Sequence, residues 1–147
     1  MDEQAKKVLS SLQGQCSKRE FCTADVSRKA LKALDSDAQR AAEVVDSLVE
    51  DGYVDDLRYA TAFARDKAQL DGWGPIKIRY MLAAKGISRQ TADAALAEVD
   101  TEAAGKVLDR LIAAKARTLE GDPQAKLKLI KYALSRGYEY SEVQRHL

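Results

Sequence analysis

Apolar residues recur at every third or fourth position along most of the chain: Val44, Leu48 and Val49; Leu57, Ala60, Phe63, Ala64 and Leu70; Ile78, Met81 and Leu82; Val107, Leu108, Leu111 and Ile112; Leu127, Ile130 and Leu134. That spacing puts side chains on one face of an α-helix, and no stretch alternates with the period of two that a half-buried strand requires. The chain is therefore read as all-α. The periodic segments predict helices over 2–13, 23–34, 38–51, 55–71, 75–85, 89–99, 101–119, 123–136 and 141–147. Isolated helices under about 12 residues are marginal in water, so 75–85 and 89–99 must be held by their neighbours.

Prolines and glycines punctuate this pattern. The two prolines, Pro75 after "GWG" and Pro123 after "EGD", each stand where a helix would begin, with Asp122 placed to cap the second. Gly52, Gly86 and Gly137 each follow a charged periodic segment and precede a large apolar residue, in "DGYV", "KGIS" and "RGYE". This is the pattern of a helix C-terminus closed by a left-handed glycine and a hydrophobic contact, so Tyr53 and Tyr138 are expected to be structural. Asp55 or Asp56 is expected to cap the helix that follows. Trp73, between two glycines, is expected to fill a seam between helices rather than stack on a ligand.

The segments "IKIRYMLAAKGIS" and "LKLIKYALSRGYEYS" align on their turns, matching Ile78 with Leu129, Leu82 with Ala133, Gly86 with Gly137 and Ile87 with Tyr138. A weaker counterpart, "VSRKALKALDSDA", places Asp35 near the glycine position and requires a one-residue offset. The expectation is three tandem three-helix repeats of about 45 residues, spanning 1–52, 53–100 and 101–147. Such an array would be elongated and curved, with a concave face for a partner.

Residues 53–88 carry a specific pattern. An acidic pair, Asp55 and Asp56, opens an aromatic-rich helix with Arg58, Tyr59 and Phe63; Gly74 and Pro75 then start a basic helix with Ile78 and Leu82 that ends in Lys85, Gly86 and Ile87. This resembles the central signature of the RecX family of recombinase regulators. The C-terminal "KLKLIKYALSRGYEY" and the N-terminal "CSKREFCTADVSRKAL", with Cys16, Glu20 and Val26, extend the resemblance over essentially the whole chain; Asp35 in place of a glycine is its clearest departure. The resemblance implies a non-catalytic protein of three three-helix repeats. It implies further that the chain binds the RecA recombinase filament on single-stranded DNA, lies along its groove and suppresses coprotease, strand-exchange and ATPase activity. DNA repair, homologous recombination and the SOS response are the expected setting.

Composition bounds the alternatives. The net charge of +1 provides no overall field to draw the molecule onto nucleic acid, so any such contact requires a local patch. Residues 77–89 hold four cations and no acid. Arg58, Arg65, Lys77, Arg79, Tyr80, Lys85 and Arg89 are accordingly candidate partner or nucleic-acid contacts in the second repeat, with Lys128, Lys131 and Arg136 in the third. Lys77 and Tyr80 are expected on the outer side of their helix, with Arg79 on the flank and Ile78, Met81 and Leu82 inside. A stand-alone helical DNA-binding protein and a helical-repeat scaffold for another protein remain alternatives.

Cys16 and Cys22 fit neither a redox pair nor the usual zinc spacing, the single His146 has no triad partners, and "GWG" lacks the strand and lysine of a nucleotide loop. No catalytic residue, metal or cofactor is expected. The start, "MDEQAKK", shows no signal-peptide pattern and no apolar run is long enough to span a membrane, so a cytoplasmic monomer is expected.

Overall fold

A computed structural model describes residues 1–147 and contains nine α-helices and no strand. They are α1 (Glu3–Cys16), α2 (Thr23–Ala33), α3 (Ala38–Glu50), α4 (Asp56–Gln69), α5 (Pro75–Ala84), α6 (Arg89–Ala97), α7 (Thr101–Thr118), α8 (Ala125–Ser135) and α9 (Tyr140–Arg145). Five of them start on a side-chain cap: Asp2, Asp37, Asp55, Ser88 and Asp100 each accept a hydrogen bond from the backbone amide three residues on. These caps satisfy amides that have no intrahelical partner. Asp55 is thus the cap of α4, while Asp56 reaches across to accept from the Thr23 amide at 2.8 Å.

The boundaries fall within three residues of the sequence reading, and two of the differences have a local cause. Helix α1 continues through Gly14 to Cys16, because Cys16, one turn beyond the buried Leu12, also packs against the first core. Helix α8 begins at Ala125 rather than Pro123. Asp122 accepts from the Gln124 amide two residues on, at 2.8 Å, which closes a local turn and delays the helix.

Apolar residues gather in three cores rather than one. The first joins α1, α2 and α3 around Val26, Leu34, Val44 and Leu48; the second joins α4, α5 and α6 around Ala60, Ala64, Ile78, Leu82 and Ala95; the third joins α7, α8 and α9 around Leu108, Ala133, Tyr138 and Val143. Serial cores leave seams. The solvent-accessible surface is 8886 Å², against roughly 7,500 Å² for a compact monomer of this mass, and the excess excludes a single close-packed bundle. Cys22 crosses the first seam and belongs to the second core.

The three turns that close α2, α5 and α8 share one closing hydrogen bond, although the first has a second left-handed residue, Ser36, at φ 64°. The amides of Ser36, Ile87 and Tyr138 donate to the carbonyls five residues back, Leu31, Leu82 and Ala133. Asp35, Gly86 and Gly137 occupy the left-handed position before them, with φ of 53°, 74° and 93°. These positions lie 51 residues apart, so the register is longer than the expected 45 and needs no offset at Asp35. Aspartate tolerates the left-handed region better than most side chains, which is how the first turn closes without glycine.

The second and third units meet backbone to backbone. The Gly74 amide donates to the Arg136 carbonyl at 2.8 Å and the Ile76 amide to the Gly137 carbonyl at 3.0 Å. Unpaired amides at the start of α5 thereby satisfy unpaired carbonyls just past the end of α8, and Pro75 between them has no amide to leave unpaired. No side chain fits here. A Cβ on Gly74 would overlap the Gly137 carbonyl carbon and the Tyr138 nitrogen, and one on Gly137 would lie 2.6 Å from the Lys77 nitrogen. The firm stops at Gly74, Pro75 and Gly137 are the parts of this joint.

Gly74→Ala and Gly137→Ala are each expected to lower unfolding stability by about 3 kcal/mol in urea titrations. Gly52→Ala, where φ is positive as at Gly137 but nothing lies within 4 Å, should cost only about 1 kcal/mol. A loss at Gly137 no larger than at Gly52, with none at Gly74, whose φ is −81°, would show that left-handed strain and not the close approach sets the cost.

Candidate partner and nucleic-acid interface

The structure divides the ten candidate residues into structural ties and available groups. Arg58 donates through Nε to both oxygens of Glu20 at 2.9 Å and through Nη2 to the Gly52 and Tyr53 carbonyls. It thus holds the α3–α4 turn against the α1–α2 link. Arg136 donates to the Gly72 carbonyl at 3.1 Å and to the Asp71 carbonyl, clamping the backbone joint from outside. Lys85, at the end of α5, donates to Asp25 on α2 at 3.0 Å and so pins the first unit to the second.

Lys77 departs from the outward orientation expected of it. It is half-buried, with Nζ 4.2 Å from the centroid of Trp73. The Gly137 approach crowds its backbone and turns this side of α5 toward the third unit. Trp73 itself packs against the second core, meeting Phe63 edge-on at 6.1 Å, and so fills the expected seam. Met81, expected inside, is 36% exposed, because α5 buries only the single edge carrying Ile78 and Leu82.

Other candidates gather in two clefts. In the second unit, Arg79, Tyr80 and Arg89 line a hollow of about 340 Å³ with Ile76 and Ile87. Tyr80 is 73% exposed and Ile76 52%. Arg79 contacts Asp93 at 2.9 Å and Glu139 at 4.0 Å, whereas the only acid near Arg89 is Asp93 at 4.0 Å. In the third unit, Lys128 and Lys131 line a hollow of about 320 Å³ with Lys115, Leu119 and Tyr132. Lys128 is paired with Asp122 at 2.6 Å, while Lys131 is exposed and makes no ion pair. Leu127 and Leu134, exposed on α8 about one turn before and one turn after Lys131, add an apolar border. Arg65 stands exposed on α4 without an ion pair, outside either cleft.

The linings of these two clefts contain five cations and no carboxylate. No group of three or more His, Cys, Asp or Glu side chains is placed to hold a metal, and no helix is long and apolar enough to cross a membrane.

Residues 55–96 match the family model described as RecX, second three-helix domain. The regulatory protein RecX of Shigella sonnei (strain Ss046) is 31% identical over 111 residues, covering 76% of this chain and 66% of that protein. The chain belongs to the RecX family. The regulatory protein RecX of Escherichia coli (strain SE11) is 30% identical over the same length and likewise matched over 66% of its own. Two crystal structures share the fold. A regulatory protein RecX superposes with a TM-score of 0.87 at 23% identity over 98% of this chain and 71% of that one. RecX from Lactobacillus salivarius superposes with 0.88 at 20% identity, over 99% and 96%. The family is one of proteins named as regulators, and the helical repeat architecture is common to it.

A third cation cluster in this RecX-family chain escaped the sequence reading. Arg19, Arg28, Lys29 and Lys32 line a hollow with Lys85 at the seam between the first two units. Its signal was present: "VSRKALKAL" over 26–34 is acid-free in the manner of 77–89. The acids of the neighbouring turn, Asp35 and Asp37, obscured it.

At the other seam, Trp73, Ile78, Leu96 and Tyr138 wall a cavity of about 440 Å³. Tyr138 is 2% exposed and its hydroxyl has no hydrogen-bond partner. Burial, aided by the nearby Glu142 carboxylate, pushes its pKa up to about 12. A folded-state value above the unfolded one gives stability that is complete below pH 10 and lost as pH rises toward 12. Tyr138→Phe removes both the unpartnered hydroxyl and this titration. The variant is expected to be as stable as the parent at pH 7 or more so, by up to about 1 kcal/mol. It should also lose less stability than the parent between pH 10 and 12 in chemical denaturation; parallel curves would assign the alkaline loss to other groups.

Proposed function

We propose that this RecX-family protein binds the filament of a RecA-type recombinase on single-stranded DNA and restrains its ATPase, coprotease and strand-exchange activity. The reading rests on one observation above all: the second and third units each present a cleft lined by cations and no carboxylate, in which Arg89 and Lys131 are the least neutralised by neighbouring acids, in a molecule whose total charge is only +1. Such segregation suits a partner that is itself a repeating, negatively charged polymer. The clefts also border exposed apolar or aromatic groups, Ile76 and Tyr80 in one and Leu127 and Leu134 beside the other. Those suit contact with protein as well as phosphate.

The three units, 1–52, 53–100 and 101–147, act in this reading as separate weak contacts on neighbouring protomers. Their joining through rigid seams makes the second and third contacts intramolecular, so a monomer gains affinity by multivalency without any single strong site. Bridging protomers blocks filament extension and substrate access. The protein would work in the cytoplasm, as a regulator and not an enzyme, with no cofactor. Of the ten candidates, Arg65, Tyr80, Arg89 and Lys131 reach the partner directly. Arg79 and Lys128 do so in exchange for their present carboxylates, and Arg58, Lys77, Lys85 and Arg136 act by holding the surfaces in place.

Arg89→Glu combined with Lys131→Glu changes two exposed side chains in different clefts. The double variant is expected to retain the parental thermal unfolding curve and to inhibit the single-strand-dependent ATPase of the cognate recombinase at least tenfold more weakly. Inhibition should also fall as salt is raised. Undiminished inhibition by the folded variant at moderate salt would remove the clefts from the contact. Tight binding to DNA without recombinase, with no effect on the filament, would favour a stand-alone DNA-binding protein instead.

A further inference from the structure

The seam between the first two units gathers charge in a way that its own stability does not require. Arg19 from the α1–α2 link, Arg28, Lys29 and Lys32 from α2, and Lys85 from the end of α5 surround a hollow of about 460 Å³. One acid, Asp25, faces them. Its side chain is only 7% exposed and is fully engaged: Oδ1 accepts from Arg28 at 2.8 Å and from Lys85 at 3.0 Å, and Oδ2 from the Cys22 amide at 3.4 Å. Burial alone would raise the pKa of Asp25, but the hydrogen bonds from Lys85 and Cys22 outweigh it and hold the carboxyl below its ordinary range. Asp25 therefore remains a carboxylate that anchors two of the cations and has no capacity left for the others. Arg19, Lys29 and Lys32 form no ion pair.

The lining also limits what could fill the hollow. Its single apolar residue, Phe21, is 8% exposed and is covered by the Arg19 guanidinium at 4.6 Å and the Lys29 ammonium at 5.1 Å from the ring centroid. No apolar subsite is left for the side chain of a peptide, and no free ring face for stacking of a base. What converges on the space is charge alone: one guanidinium fork and two ammonium groups with unspent donors, backed by Arg28 and Lys85. A group with several anionic oxygens on one centre matches that arrangement better than a carboxylate with two.

We propose that this hollow is a phosphate-binding site that spans the first and second units. Arg19, Lys29 and Lys32 supply the direct contacts and the Asp25-anchored Arg28 and Lys85 form its fixed back wall. The direct contacts come from the first unit and the back wall includes Lys85 of the second, so an occupied site lies against the Asp25–Lys85 tie that joins the units. Because the direct contacts reach only phosphate, recognition is independent of base sequence. The phosphate could be carried by a single-stranded nucleic acid or by a small free phosphate, and the two sources are separable by experiment. The site uses none of the groups assigned to direct filament contact above and is tested on the chain alone, so its failure and that of the filament reading are distinguishable.

The test is fluorescence anisotropy of a labelled oligothymidylate with the purified chain, alongside thermal unfolding in inorganic pyrophosphate. Lys29→Glu with Lys32→Glu, both exposed on α2, is compared with Lys6→Glu plus Lys106→Glu, an equal charge change at exposed positions outside the hollow. Circular dichroism checks that both variants fold. The site predicts that the parent binds and that the Lys29/Lys32 variant binds at least tenfold more weakly. Its salt dependence should be shallower by about 1.4 in log–log slope for two lost single-strand phosphate contacts, whereas the control variant changes less than threefold. If pyrophosphate displaces the oligonucleotide and raises the parent's melting temperature but not the Lys29/Lys32 variant's, a free phosphate suffices. If it does neither while the oligonucleotide still discriminates the variants, the polymer is the ligand. No binding of either probe by the parent, or equal losses in both variants, would overturn the site.

Discussion

The structure depends most on a contact in which no side chain takes part. At the junction of the second and third units, the free amides that begin α5 meet the free carbonyls that end α8, and the two backbones approach so closely that only glycine fits at positions 74 and 137. Helix ends always leave such groups unsatisfied, and burying them without partners is costly. Here the two ends settle that requirement for each other. The orientation of one three-helix unit on the next is thereby set by hydrogen-bond geometry rather than by sliding apolar surfaces, and Arg136 reinforces it by holding the Asp71 and Gly72 carbonyls.

The first seam solves the same problem with side chains. Asp56 accepts the Thr23 amide at the start of α2, Asp25 joins Lys85 across the gap, and the Cys22 thiol reaches the Lys85 carbonyl at 3.8 Å. The left-handed turn of the next unit is present in both seams, at Gly86 and at Gly137, but only the second is closed to any Cβ; at Gly86 the nearest neighbour would be Ala24 at an ordinary 3.7 Å. One seam is thus a backbone lock and the other an electrostatic pin whose cations remain partly open to solvent. Rigid spacing of the second and third clefts, and a charged hollow between the first and second units, follow from that difference.

Much of this was legible in residue order. Helix type followed from the three-to-four spacing, helix ends from capping aspartates and from glycines followed by apolar residues, and the correspondence of Gly86 with Gly137 from local pattern alone. Asp35 was misjudged because a glycine was sought, whereas the backbone there takes the same left-handed turn with an aspartate. Pro123 marked a helix start that Asp122 postponed by closing a turn of its own. The cation candidates were legible as residue types but not as roles: Arg79, Tyr80 and Arg89 share a cleft as their spacing suggested, while Arg58, Lys85 and Arg136 are consumed by partners 38, 60 and 64 positions away.

What the sequence by itself determined, then, is the set of local choices: nine helices, the cap at the start of α4, and the glycine turns that close α5 and α8, all governed by interactions within a few residues of one another. Tertiary structure alone decided which cations are free. Whether a lysine is a contact or a brace depends on a carboxylate or carbonyl brought to it by packing from far along the chain. Composition reports how many charges there are, and only the fold reports which of them are already neutralised.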